Sequence, residues 1–272
     1  QHFGMERDVG SIAPGRRADI ILTSDLPTLP VEMVIAQGEV VAENGKLTVD
    51  IPEADYPDFA KGTVNLGKKL IAADFDINAP ESAEKVRARV IGVIENQAPT
   101  KALEADLVVA DGLVQMDVDS DVCQIALVER HRATGEVVNG FVSGFGYNIS
   151  CAVASTVAHD SHHMIVVGTS KEDMAAAANH LGKVGGGITV FSEGKELATV
   201  ELSIAGLMSD ERAEIVADKA AKMVAAMESC GCKLNNAYMQ HSLLALVVIP
   251  EIRISDLGIV DVTKFELVDL IL

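Results

Sequence analysis

Three turn dipeptides, Pro14-Gly15, Gln37-Gly38 and Asn44-Gly45, cut the beginning of the chain into apolar runs too short for helices and of strand length. Pro14 presets φ for position i+1 of a β-turn, and Gly15 supplies the positive φ of a type II turn at i+2. Ile20, Ile21 and Leu22 follow as a short strand, and Val31 to Ile35 and Glu39 to Ala42 are two more β-prone runs. Arg16 and Arg17 read as a solvated turn, with anion binding as the alternative. Residues 7 to 50 are therefore expected to form a small antiparallel sheet. A sheet of this size buries little, so it is expected to need partner strands from outside this chain.

Charge then narrows the partners. The formal net charge of −18 opposes nucleic acid, because binding phosphates requires their neutralisation by Lys and Arg. A neutral base or a small metabolite remains compatible. No apolar stretch reaches the roughly 18 residues of a membrane span. Gln1-His2-Phe3-Gly4 lacks the charged-then-apolar order of a signal peptide, so a cytoplasmic location is expected. The four cysteines, at 123, 151, 230 and 232, are too sparse for a disulfide framework in a chain of 272 residues. Cys230-Gly231-Cys232 lacks the second pair of a structural zinc site. It reads instead as a helix end, with Gly231 just past the last turn.

Between residues 50 and 80, Pro52, Pro57, Gly62, Gly67 and Pro80 stand among Asp50, Glu53, Asp55 and Asp58 and interrupt the periodicity. A boundary is expected here, dividing residues 1–65 from 66–272. Beyond it, Lys85 to Ile94 alternates as a strand, with Val86, Ala88 and Val90 on one side. Leu107 to Ala110 and Leu113 to Met116 form a hairpin around Asp111-Gly112. Ile125 to Glu129 continues the sheet. Met164 to Val167 is an apolar strand, followed by a helix to about Leu181 that Thr169 and Glu172 are expected to cap. Gly185-Gly186-Gly187 turns into the strand Ile188 to Phe191, and Ser192 to Lys195 turns into Leu197 to Leu202. A second helix runs from Ser209 to about Ser229, with Val216, Ala220, Met223 and Met227 on its apolar face. Strands and helices in this order predict an α+β fold in which the small sheet precedes a larger mixed domain.

His159-Asp160-Ser161-His162-His163 holds three of the seven histidines and is the densest group of reactive side chains. Imidazoles and a carboxylate are metal ligands and acid/base groups. His159 and His162 share a face of a helix but not of a strand, which weakens a metal site in this strand-and-turn context. A substrate pocket at His159, Asp160, Ser161 and His162 and a structural turn network both fit the residues. Ser161 beside histidines does not make a triad, which needs a spatial arrangement and an oxyanion hole. The run Gly140 to Gly146 has neither phosphate-loop nor dinucleotide spacing and marks bends or close backbone approach in a strand pair. Glu129-Arg130-His131-Arg132 reads as a solvated strand end, with a pocket-facing Arg or His as the alternative.

A family pattern lies across these motifs. Gly10-Ser11-Ile12-Ala13-Pro14-Gly15-Arg16-Arg17-Ala18-Asp19-Ile20-Ile21-Leu22 resembles the segment that follows the catalytic barrel in amidohydrolases. Downstream come Leu127 to His131, Gly144-Phe145-Gly146, Ala158 to His162, Ile165 to Gly168, Gly185 to Ile188, Ala205 to Ser209 and Ile249 to Arg253. Their order resembles the C-terminal domain of bacterial and archaeal adenine deaminases. Two departures stand out: His163 where the pattern leads one to expect asparagine, and Tyr147 to Cys151 where a glycine-alanine sequence is more usual.

The resemblance implies hydrolysis of adenine to hypoxanthine and ammonia by a metal-bound hydroxide, with manganese or iron as the metal and zinc as a further option. It implies that the small sheet is part of an amidohydrolase β-sandwich, and that the metal ligands sit on a TIM barrel. Such a barrel takes about 250 residues, whereas nine residues precede Gly10. The barrel is thus expected to lie outside this chain. No catalytic or metal-ligating residue is carried over, and no cofactor is expected in these 272 residues. Expected partners are adenine, the chain's own barrel and further copies in a homo-oligomer, with no membrane and no nucleic acid. The alternative function is a non-catalytic lid or assembly domain, motivated by the apolar runs Leu243 to Ile249 and Leu267 to Leu272.

Overall fold

The computed structural model describes residues 2–52 and 54–272, so the expectations touching Gln1 and Glu53 lie outside the described residues. The chain divides into two compact units, Gln1–Asp55 and Tyr56–Leu272. In the first, β1 (Ile20–Thr23), β2 (Val31–Ala36), β3 (Glu39–Glu43) and β4 (Lys46–Leu47) form an antiparallel meander in sequence order. Its two tight turns place Gln37 and Gly38 at φ 52° and 87°, and Asn44 and Gly45 at 51° and 75°. Positive φ at both central residues is the hairpin geometry whose twist matches the flanking strands. Arg16 is not the free solvated side chain expected. Its Nη1 donates to the carbonyls of Val9, at 2.9 Å, and Glu6, bracing the turn that precedes β1. No described residue of this unit is buried, and Ile12 and Leu26 are 83% and 78% exposed.

The second unit is built on β5 (Lys85–Val93), β6 (Thr100–Ala110), β7 (Leu113–Val114), β8 (Val122–Val128), β9 (Val137–Ser143), β10 (Ala152–Ser155), β11 (Met164–Gly168), β12 (Gly187–Ser192) and β13 (Lys195–Glu201). They form one nine-stranded sheet in the order β13-β12-β10-β11-β8-β9-β5-β6-β7. Its pairs are antiparallel except the parallel contact of β5 with β9. Helix α1 (Lys171–Val184) links β11 to β12, and α2 (Ala213–Ser229) and α3 (Ala237–Leu243) follow β13. The chain ends in a separate antiparallel sheet of β14 (Ile252–Ser255), β15 (Gly258–Asp261) and β16 (Glu266–Val268), which the sequence reading did not anticipate. Among the described residues no helix is long and apolar enough to cross a membrane.

Alternation of side chains along a strand explains which sequences sit where. On β8, Ile125 and Leu127 join a core with Met223 and Met227 of α2, while Ala126 and Val128 join another with Met174 and Leu181 of α1. Covered on both faces, β8 reads as an unbroken apolar run from Ile125 to Val128. Toward the sheet's other end, β5 buries Val86, Ala88 and Val90 and exposes Lys85 and Arg87. Each fully buried Leu, Ile or Met contributes on the order of 1.5–3 kcal/mol.

The start of α1 differs by one residue from expectation, and its end lies at Val184, three residues beyond Leu181. Ser170, not Thr169, is the N-cap and accepts from the Asp173 amide at 3.2 Å. Thr169 is spent on the segment that leads into β10, accepting from the Cys151 amide at 3.0 Å and donating to the Ile149 carbonyl at 2.5 Å. Asp173 is buried and accepts from Ser150 Oγ and from the amides of Glu193 and Gly194, which locks the β12–β13 turn to the helix. Gly185, at φ 87°, caps the other end. After α2, Gly231 turns at φ 104° and both neighbouring cysteines enter the core. All four cysteines are free and buried in one cluster with Phe145 and Tyr147, and burial pushes the Cys123 thiol up to about 12. Arg253 of β14 is also fully buried. Its guanidinium donates to the carbonyls of Ile249 at 2.8 Å, Leu243 at 2.9 Å and Ala98, tying α3 and the β5–β6 loop to the last sheet.

Candidate functional site

Strand β8 is followed by the acidic and basic pair Glu129-Arg130, and here the solvated strand end that was expected is corrected. Glu129 is 6% exposed and Arg130 1%. The correction has a physical reason: Glu129 is met by the amides of the turn that follows it, and Arg130 by carbonyls from distant loops. Glu129 Oε1 accepts from the amides of His131 and Arg132 at 2.5 and 2.8 Å, and Oε2 accepts from the amide and hydroxyl of Thr134 at 3.1 and 3.3 Å. Burial pushes this carboxyl up, but the amide donors outweigh it and hold it below the usual glutamate range. Arg130 donates in the other sense, to the carbonyls of His162 at 2.5 Å, Thr63 at 3.3 Å and Ala205 at 3.2 Å. The rest of the charged run, His131 and Arg132, is exposed as expected.

The segment before β11 is a turn, not a strand. The His162 amide donates to the Ala158 carbonyl at 2.7 Å, and the His159 amide to the Ser242 carbonyl at 3.0 Å. This brings together the two imidazoles that strand geometry would separate: the His159 and His162 rings lie 5.3 Å apart at 68°. A second pair forms between His131 and His163, 4.8 Å apart. His131 Nε2 lies 2.9 Å from the Ser161 carbonyl. A carbonyl only accepts, so His131 carries its proton on Nε2. Ser161 joins the network through that carbonyl, and its hydroxyl is not placed as a nucleophile. Asp160 is exposed at the tip.

His163 is the buried member. Its Nδ1 is 3.9 Å from Glu129 Oε1 and its Nε2 3.6 Å from Asp256 Oδ2, both beyond hydrogen-bond distance. Burial lowers its pKa and the nearby His131 adds to this, against the carboxylates of Asp256 and Glu129. Burial also lowers that of His162, helped by His159 and Arg130 and opposed by Asp160. At neutral pH His162 and His163 are therefore neutral, and among the described residues the Nδ1 of each is buried without a hydrogen-bond partner. Among the described residues no group of three or more His, Cys, Asp or Glu could hold a metal ion. The candidate residues His159, Asp160, Ser161 and His162 thus form one turn, joined by His131, His163, Glu129 and Asp256. Asp256 escaped the sequence reading because it lies in the β14–β15 turn, with nothing local to link it to His163.

Comparison with known proteins adds the family. The model of the adenine deaminase C-terminal domain matches residues 97–266, which hold β8, both histidine pairs and Asp256. The chain belongs to the adenine deaminase C-terminal domain family. It is 69% identical over 271 residues to "Adenine deaminase 3" of Rhizobium meliloti (strain 1021), covering 100% of this chain and 45% of that protein. To the adenine deaminase of Mesorhizobium japonicum it is 68% identical over 270 residues, covering 99% and 45%. Against the adenine deaminase of Moorella thermoacetica the identity is 44% over 269 residues, again covering 99% and 45%. The chain therefore spans less than half the length of the relatives it matches, and the adenine deaminase C-terminal domain occupies most of it.

Proposed function

We propose that this chain is the C-terminal part of an adenine deaminase and that the turn at 159–162 closes over the site where adenine is bound and hydrolysed to hypoxanthine and ammonia. The observation that carries this reading is the match to adenine deaminases over nearly all of this chain but only 45% of their length. The divalent metal implied for the reaction does not fit the residues described here. Its ligands, and the manganese, iron or zinc they would hold, belong to the barrel outside this chain. What the chain's own residues offer is the half-buried neutral imidazole of His162 beside the exposed carboxylate of Asp160, suited to hydrogen bonding with a neutral heterocycle.

The first unit fits the same reading. A meander with no buried residue among those described and with exposed Ile12, Ile21, Leu22 and Leu26 is suited to complete a β-sandwich with strands from outside this chain. We place the whole enzyme in purine salvage, in the cytoplasm, as a homo-oligomer.

The test is ammonia release from adenine, measured on this chain and on the longer enzyme that contains it. The chain alone is expected to be inactive, and turnover by the chain would overturn the placement of catalysis elsewhere. In the longer enzyme, His159→Ala and Asp160→Ala are expected to change kcat or KM. Unchanged constants in both would leave the turn a structural role only, as the assembly reading of the domain requires.

A further inference from the structure

We propose that Arg130 is the positioning residue of the histidine turn: its buried guanidinium fixes the His162 carbonyl relative to Thr63 and Ala205, and so sets where His159 and His162 present their rings. The purpose of that positioning rests on the reading of the 159–162 turn given above. Arg130 is 1% exposed, and among the described residues no carboxylate lies within ion-pair distance of it. Burial lowers the Arg130 pKa against the field of the neighbouring Glu129, so burying this guanidinium without a direct ion pair is costly, and an apolar side chain would fill the space more cheaply. What the guanidinium supplies is direction: a rigid fork of donors reaching three separate loops at once.

Its surroundings are shaped to receive it. A Cβ on Gly206 would lie 2.9 Å from Arg130 Nη1, and Gly206 stands at φ 71°, so this position leaves room for the guanidinium. Thr156 Oγ1 donates to the Gly206 carbonyl at 2.6 Å and accepts from the Gly187 amide at 2.8 Å, which anchors the 204–208 loop to the start of β12. The Ala205 amide donates to the Ala60 carbonyl at 2.6 Å. With the Ala205 contact anchored in this way, the bond from Nε to the His162 carbonyl at 2.5 Å holds the turn. The same cation opposes protonation of His162 and His163. Geometry and charge thus reach the cluster from one side chain.

The experiment compares Arg130→Met, Arg130→Lys and, as a control for lost stability, Leu181→Ala in the 272-residue chain. It reads amide hydrogen exchange at His162 and the NMR titration of the histidine rings. Arg130→Met is expected to speed His162 exchange by roughly tenfold, as for loss of one charge-assisted hydrogen bond, and to move the His162 and His163 titrations to higher pH. Arg130→Lys keeps the charge without the fork, so exchange rises while the titrations stay near wild type. Leu181→Ala, in the core on α1, leaves both unchanged. Wild-type exchange and titration in Arg130→Met, or the same changes in Leu181→Ala, would overturn the proposal. If Arg130→Met does not fold, wild-type exchange in Arg130→Lys overturns it. Altered rings with unchanged kcat and KM in the longer enzyme would support positioning by Arg130 while sinking the role proposed for the turn.

Discussion

Glu129 and Arg130 are neighbours that hold the backbone by opposite means: Glu129 gathers the amides of 131, 132 and 134, while Arg130 gathers the carbonyls of 63, 162 and 205. The two turns they fix meet where His131 reaches the Ser161 carbonyl. Substitution of Glu129 by Gln keeps the shape but weakens the charge-assisted bonds, and is expected to cost about 2 kcal/mol at neutral pH. The folded carboxyl lies below its ordinary value of 4.5. The unfolded chain therefore takes up the proton first, and this contribution is lost as pH falls through the range below 4.5. Urea unfolding across that range checks it, the Gln variant being expected to show a shallower acid loss.

His241 titrates in a different window. It is fully buried, with its Nε2 3.2 Å from the Val153 carbonyl, and burial lowers its pKa from 6.5 to about 4. The neutral ring is the folded form, whereas the unfolded ring protonates as pH drops below 6.5. Its stabilising contribution is complete above 6.5 and declines as pH falls toward 4, by about 3 kcal/mol in all. Denaturant titrations of wild type and His241→Gln over this interval should converge as pH falls. Parallel curves would show that His241 does not set the slope.

How much of this was legible depended on whether a residue's partner was local. The apolar run in β8, the alternation in β5 and the Asp111-Gly112 turn, with φ of 53° and 77°, were readable because each rests on neighbours in sequence. The histidine cluster was visible as composition, but its pairing was not. Three-residue spacing joins two rings in a turn and separates them in a strand, and only the His162 to Ala158 bond decides between them. The burial of Arg130 and Arg253 depends on carbonyls brought from distant loops, and that of Glu129 on a turn that folds the next amides back onto it, so their charge pointed to the surface. The sheet at β14–β16 was missed because its strands are three or four residues long.

Gly67 offers a steric test of the turn that Glu129 organises. It stands at φ 75°, and a Cβ there would lie 2.2 Å from the Ala133 carbonyl oxygen and 2.6 Å from its carbon. Backbone cannot yield as a flexible side chain does, so Gly67→Ala combines left-handed strain with displacement of the 131–135 turn. A loss of about 3 kcal/mol is expected. Gly112→Ala makes the comparison, because it has φ 77° and nothing within 4 Å of its Cβ. It carries only the strain, on the order of 1–2 kcal/mol. Equal losses in unfolding experiments on the two variants would sink the steric account.

The two units predict different behaviour when separated. Residues 56–272 contain all three buried cores, including the cluster that packs Ile125 and Leu127 against α2 and the one that packs Ala126 and Val128 against α1. They are expected to unfold in a cooperative transition when expressed alone, with the His131, His162 and His163 ring signals at their positions in the full chain. Residues 1–55 have four strands but no buried residue among those described, so area burial cannot offset the backbone entropy of about 1–2 kcal/mol per ordered residue. The short piece alone should give no cooperative transition. Circular dichroism with urea titration of both pieces decides the matter, and a broad, non-cooperative curve for 56–272 would show that its fold depends on the residues removed.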